Sequence, residues 1–415
     1  MIIFYILVLL MPFANPPYLS RIVSGAVAFK VLGAACLPYA AFHLVLRGGL
    51  PQYLRSWQAR LFYLLYLLAT ASAFTRGGRW NSSAWESFTS FVLLYIIVLS
   101  IVDTLARVRW VLLFANAAVA LGSVRLIEEW WQFRSFDPAY RAGLTVGNSN
   151  YFAITAALCV PFAFLMVLHS GKRWERWFYG GCLAFSLLGV TLCQSRGGTL
   201  AMGAAFLYLV ARSRRRLRNL VLSGLVVLPL MILFPSSPLH RFLHPAAMDQ
   251  DSLRFHIVAW KAGVRMVQRH PWFGIGLGNF KPMMEWYAPA GTQWSSVAHN
   301  TFLEIAAELG LPALALFVGL LVFAYRSLGG AGKRARMAGD RTMYLATLGL
   351  QAGFLGYLVG ACSISAQYIK VFWLVIFLST CLPQLYVARR IRGRADVSPA
   401  LVPQAVRMEA LHGIS

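Results

Sequence analysis

The sequence predicts an all-α integral membrane protein, with about twelve transmembrane helices and one large, partly helical loop. Three observations lead there. Of 415 residues, 59% are hydrophobic and only 13% charged, and mean hydropathy is +0.62, a composition outside the range of soluble globular chains. Apolar runs of bilayer-spanning length recur from end to end. One stretch, 236–298, interrupts them with histidines, arginines, aspartates and clustered glycines.

The spans are expected at about 2–15, 22–46, 57–75, 84–103, 108–126, 150–169, 177–194, 198–212, 219–235, 301–327, 342–363 and 367–388. The first has no basic n-region and no Ala-x-Ala cleavage site, so it reads as a retained helix and not a signal peptide. The chain then divides into helices one to nine over 1–235, the loop 236–300, helices ten to twelve over 301–390, and a tail 391–415.

Charge sets the orientation. Arg47, Arg55 and Arg60 follow the second span, Arg107 and Arg109 the fourth, and Lys172, Arg173 and Arg176 the sixth. Arg212, Arg214, Arg215, Arg216 and Arg218 follow the eighth, Lys333, Arg334, Arg336 and Arg341 the tenth, and Arg389, Arg390, Arg392 and Arg394 the twelfth. Every even-numbered exit is basic, as cytoplasmic loops require, so both termini are expected in the cytoplasm. The net charge of +24 therefore serves topology and contact with anionic membrane lipids, not nucleic acid.

This topology exports three segments: 127–148, the Gln194–Gly198 corner, and 236–298. The six cysteines all fall within or at the edge of spans, and no CxxC pattern occurs. Neither a disulfide framework nor a zinc site follows, and the cysteines read as small residues between helices.

Three exported arginines depart from the inside rule. Arg196 opens Arg196-Gly197-Gly198-Thr199-Leu200, whose glycines permit close backbone approach. Alone, it also fits an arginine snorkelling to lipid phosphates. Arg254 and Arg265 lie in a stretch that reads as a helix from Ser252, three turns apart and so on one face. Each can be simply solvated. Together, three guanidinium forks beside histidines suit an anion, since they bind phosphate bidentately and keep their charge at ordinary pH.

His299 is the sharpest single residue. It precedes Asn300, expected to cap a helix Thr301–Leu309 that stops at Gly310-Leu311-Pro312. A histidine at a helix mouth and a membrane boundary can act as a general base, and the helix dipole disfavours its charged form. A packed interfacial histidine is the plainer alternative. Asp249-Gln250-Asp251 has the D-x-D form used by metal-dependent glycosyltransferases, and His240 and His244 have zinc spacing if helical. Pro238 and Pro245 bracket that histidine pair, however, and Asp251 can instead orient Arg254 across one turn. No metal and no cofactor is expected.

In order along the chain, Arg196-x-x-x-Leu200, Arg254 followed by Trp260, His270-Pro271-Trp272-Phe273-Gly274-Ile275-Gly276-Leu277-Gly278-Asn279-Phe280, and His299-Asn300 before a helix ending at Gly310 form a recognisable set. They resemble the O-antigen ligase / O-antigen polymerase superfamily of integral-membrane glycosyltransferases. Gly147-Asn148-Ser149-Asn150-Tyr151-Phe152-Ala153 resembles the Gly-x-Asn-x-Asn stretch opening another span of that family. The motifs cover 145–310, and the short tail without a further exported domain looks like the ligase branch.

The resemblance implies a GT-C-like enzyme of the bacterial inner membrane, metal-independent and inverting, with its active site facing the periplasm. Its donor would be O-antigen on undecaprenyl diphosphate, and its acceptor a sugar hydroxyl of lipid A–core. It assigns Arg196 and Arg254, with Arg265 as a third member, to the diphosphate. His299 would take the acceptor's proton, and Asn300 would orient it or the acceptor. Trp272, Trp286, Tyr287 and Trp294 can stack on sugars or serve as an interfacial belt. An O-antigen polymerase, a protein O-oligosaccharyltransferase and a non-enzymatic transporter of lipid-linked sugars stay open. A transporter is expected to show repeats and buried mid-membrane charges, whereas only Lys30, Asp103 and Lys370 lie near or within spans.

Overall fold

The computed structural model describes residues 1–13, 25–46, 56–74, 81–136, 140–213, 247–289, 291–292 and 294–395, with isolated helical positions between 216 and 224. All regular structure among them is helical. In chain order the helices are α1 (Ile2–Leu10, then a 3-10 turn Met11–Phe13), α2 (Gly25–Leu46), α3 (Trp57–Phe74), α4 (Ser82–Ile101), α5 (Leu105–Phe133), α6 (Ser149–His169), α7 (Arg173–Cys193) and α8 (Arg196–Arg212). After the described residues resume come α9 (Ala247–Arg269), α10 (Phe280–Tyr287), α11 (Thr301–Leu309), α12 (Leu311–Met337), α13 (Arg341–Ala361) and α14 (Lys370–Ala395).

Among the described residues, seven helices are long and apolar enough to cross a membrane: α4, α5, α6, α7, α12, α13 and the Lys370–Val387 part of α14. This is a multi-pass membrane protein. Ile2–Phe13 and Val27–His43 are apolar but shorter, while α3 and α8 pack among the long helices. Apart from isolated helical positions, the span expected at 219–235 lies outside the described residues. The apolar run 301–327 divides where expected, because Gly310 at φ 89 ends α11 and Pro312 sits in the first turn of α12.

Short connections make successive helices antiparallel, so the starts of α4, α6, α8, α12 and α14 share one end of the bundle. At the opposite end, Arg109 pairs with Asp340 at 2.9 Å. The centre is α6, buried along most of its length and held between α13 and α8. Lipid tails are as apolar as leucine, so close packing has to hold such helices together. Gly349, Gly353, Gly356 and Gly360 supply it on α13. A Cβ at Gly349 would lie 2.6 Å from Phe162 Cα, and one at Gly353 or Gly356 would overlap the carbonyl of Leu158 or Ala201.

Over the other end sits a cap of α9, α10 and α11 with its own small core, including Ala259, Ala262, Met266, Ile275, Phe280, Met284 and Tyr287. The glycine-rich run 273–280 ties this cap to the bundle. Ile275 and Gly276 N–H donate to Ala307 and Glu308 carbonyls at 2.9 and 3.0 Å. The Glu308 carboxylate accepts from Gly278 N–H at 2.9 Å and Phe280 N–H at 3.0 Å. Asn81 Nδ2 holds Gly278 O at 2.9 Å, and Ser72 Oγ bonds the carbonyls of both Phe273 and Glu308 at 2.7 Å. Gly274, Gly276 and Gly278 all have positive φ, which side-chain-bearing residues rarely adopt.

Candidate active site

Arg196 is the first residue of α8, and its surroundings form a chain of caps. The Ser195 hydroxyl accepts from Gly198 N–H at 3.1 Å, capping α8, and donates to Asn150 Oδ1 at 2.8 Å. Asn148 in turn caps α6, accepting from Asn150 and Tyr151 N–H at 2.8 and 3.3 Å. Arg141 bonds both partners of this corner, Nη2 to Asn150 Oδ1 at 2.5 Å and Nε to Cys193 O at 2.8 Å. The 140–145 loop folds onto buried Glu129, whose carboxylate accepts from Tyr140 OH, the N–H groups of Gly143, Leu144 and Thr145, and the Thr145 hydroxyl at 2.7–3.0 Å. Gly198 packs so tightly on Ala153 that a Cβ would overlap it, and one at Gly197 would lie 2.6 Å from Ser363 Oγ. The Gly147–Ala153 motif therefore fixes the start of α8, and with it Arg196.

His299 is held from both flanks. Asn300 caps α11 as expected, its Oδ1 accepting from Phe302 and Leu303 N–H at 3.0 and 3.1 Å. On the other flank, buried Glu304 accepts from Ala298 N–H at 3.0 Å, from Gln367 Nε2 at 2.6 Å and from Ser365 Oγ. Thr301 Oγ1 donates to Ile364 O and accepts from Ala366 N–H, both at 2.8 Å, bringing the 363–368 turn to the same corner. Between these anchors His299 takes φ 50. Such backbone costs about 1–3 kcal/mol and persists where surrounding contacts over-determine it.

The ring of His299 stacks on that of His256 from α9, centroids 4.6 Å apart and 18° from parallel. Its Nε2 lies 3.2 Å from Ser296 Oγ, and Trp260 Nε1 donates to Ala298 O at 3.0 Å, closing the corner. Burial, and then His256, push the His299 pKa down from 6.5 to about 4. The His256 pKa is also lowered, by burial first and then by the Arg196 charge. Arg196, His256 and His299 thus form one electrostatic group, built from α8, α9 and the mouth of α11. Its imidazoles are neutral at ordinary pH, and its fixed charge is the guanidinium.

The other expected residues are placed differently. The α9 helix begins at Ala247, five residues before Ser252, and Arg254 and Arg265 do share one face of it. That face lies about 160–180° around the helix from His256. Arg254 is exposed. Arg265 Nη1 donates to Tyr287 O at 3.0 Å, bracing α10. Of the four aromatics expected to meet sugars, Trp272 and Trp286 are each 70% exposed. Tyr287 is buried, its hydroxyl 2.8 Å from His270 Nε2, and Trp294 packs edge-on against Phe255. His240, His244 and the side chains of Asp249 and Asp251 lie outside the described residues. Among the described residues all six cysteines are free, five of them buried. Sequence reasoning did not single out His256, Arg141, Glu129 or the structural duty of Glu304 and Glu308. For His256 the available signal was its place four residues before Trp260, one helical turn along the same face.

All five expected site residues fall within one segment that comparison with known families also picks out. A family model described as O-antigen ligase matches residues 181–318, from within α7 into α12. Over that segment the protein is similar to the O-antigen ligase family. No curated protein matches it. The O-antigen ligase match contains the stacked pair His256 and His299, Arg196 whose charge acts on His256, and the glycine-rich run that fixes the cap.

Proposed function

We propose that this protein is an O-antigen ligase, which moves a polysaccharide from undecaprenyl diphosphate to a sugar hydroxyl of lipid A–core on the periplasmic face of the bacterial inner membrane. The observation that carries the reading is the grouping of Arg196, His256 and His299 at one end of a membrane bundle, inside the matched segment. A diphosphate leaving group needs positive charge more than a proton donor. Arg196 supplies a guanidinium fork from a helix start fixed by the caps of α6 and α8, and the N-terminal end of α8 adds its dipole. Arg254, and Arg265 as a third member, complete the clamp if the donor bridges to the outer face of α9.

His299 serves as the base. When its Nε2–H donates to Ser296 Oγ, Nδ1 is left as the acceptor. The acceptor hydroxyl oxygen attacks the anomeric carbon, the C–O bond to the diphosphate breaks, and the hydroxyl proton passes to His299. Undecaprenyl diphosphate departs with the bonding electron pair, and His299 returns the proton to water. One displacement inverts the anomeric centre. The low pKa of the free site suits this role once donor is bound, because the incoming negative charge favours the protonated ring and raises His299 from its depressed value. Asn300 acts by holding the helix mouth, since its carbonyl oxygen is committed to the cap.

The test is ligation by purified protein from lipid-linked O-antigen to lipid A–core, alongside the lipopolysaccharide ladder of a deletion strain carrying His299→Ala. Loss of transfer with donor binding and lipid-linked polymer retained is the expected result. Near-normal ligation by His299→Ala removes the base. A ladder lost together with the lipid-linked polymer identifies a polymerase instead.

A further inference from the structure

Lys370 opens α14 at the same end of the bundle as His299, and the proposed transfer makes no use of it. A lysine at a bilayer boundary ordinarily snorkels into water. This one is half-buried, its ammonium 4.9 Å from the centre of the Phe29 ring. Its neighbour Lys30 is already paired with Glu86 at 2.7 Å, so the local acid is neutralised, and among the described residues no carboxylate pairs with Lys370. Lys370 also lines a cavity of about 210 Å³, together with Met11, Pro12, Gly147, Tyr151 and Thr155.

Two features make the cavity suitable for an anion attached to something apolar. The first turn of α6, at Tyr151 and Phe152, forms one wall, and a helix N-terminus carries positive potential. The remaining wall is greasy, with Met11, Pro12, Val146 and Ile369. A free phosphate would find one cation and little else, whereas a lipid phosphate gains from both parts. We propose that this cavity binds the phosphate headgroup of a membrane lipid, with Lys370 as its countercharge. The site lies on the α1–α6–α14 side of the bundle and does not depend on the ligase reading.

Native mass spectrometry of the purified full chain, titrated separately with undecaprenyl phosphate, lipid A and phosphatidylglycerol, tests it. Saturable one-to-one binding of at least one lipid is expected, and the lipid retained identifies the source of the phosphate. Lys370→Gln should weaken that binding by at least about fivefold, the worth of one lysine at a lipid phosphate, while Lys370→Arg keeps most of it. Thr155→Leu, which fills the cavity from α6 and leaves the charge in place, should weaken it too. A lipid-free thermal melt of each variant checks the fold. Isotherms unchanged in Lys370→Gln for all three lipids overturn the proposal. If Lys370→Gln does not fold, unchanged binding in Thr155→Leu overturns it instead.

Discussion

The acid limb of the pH profile is where a buried His299 separates from an exposed one. An exposed histidine loses its basic form below about pH 6.5. Burial, and then His256, hold His299 down to about 4, a gap worth roughly 3 kcal/mol against charging the ring. In a ligation assay with purified protein, kcat/KM reports the free enzyme. It should stay level from about pH 8 to about pH 5 and fall only as the pH approaches the depressed value. The kcat profile reports the donor complex, where the diphosphate charge raises His299, so its acid limb should lie at higher pH. Stability follows the same group with a defined sign. Between 6.5 and about 4 the unfolded chain binds a proton that the folded chain does not, so this contribution is full above that window and lost as the pH falls through it. Each activity point is therefore paired with a melting curve. A kcat/KM limb near the ordinary histidine value, in protein that is still folded, refutes the buried neutral base.

Arg196→Lys should lose most ligation activity, because an ammonium cannot reproduce the planar fork; full activity would return Arg196 to a snorkelling role. Arg254→Lys and Arg265→Lys should both lose activity if the donor reaches the outer face of α9; in Arg265→Lys an ammonium can still make the single bond to Tyr287 O, so a loss there reports the clamp and not the brace on α10. The same assay separates the three. Glu308→Ala leaves Gly278 and Phe280 N–H without their acceptor and should cost about 2–5 kcal/mol, read as a lowered melting temperature. Ligation in excess EDTA should match untreated enzyme; activity lost to chelator and restored by magnesium or manganese would move Asp249 and Asp251 to the centre of the site.

What was legible in the sequence was what short-range chemistry decides. Helix α11 could be read residue by residue because Asn300 and Gly310-Leu311-Pro312 mark its ends with local signals. Helix α9 starts five residues before Ser252, since acidic Asp249 and Asp251 look like loop but are favoured in a first helical turn. Hydropathy located the long spans, while α3 and α8 fall short of membrane length or apolarity and are placed by packing against their neighbours. The stacking of His256 on His299 joins residues of separate elements, and no periodicity in either one encodes it.

The glycine-rich run shows the same limit from the other direction. Its composition suits a loop whose N–H groups cradle a phosphate. In the fold those groups are occupied: Ile275 and Gly276 serve the carbonyl end of α11, and Gly278 and Phe280 serve Glu308. The acceptor is the protein's own carboxylate and not a ligand's. That assignment moves the run from binding to construction, because it clamps the end of α11 whose other end carries Asn300 and His299. Arg141 and Glu129 do the equivalent work beside Arg196, one holding Asn150 and the Cys193 carbonyl, the other gathering the loop before α6. The cation and the base of the proposed transfer are thus set on two separately braced helix starts, α8 and α11. Loosening either brace should separate them without touching the reacting groups, which is why losses at Glu308 and Arg141 belong in the same experiment as losses at Arg196 and His299.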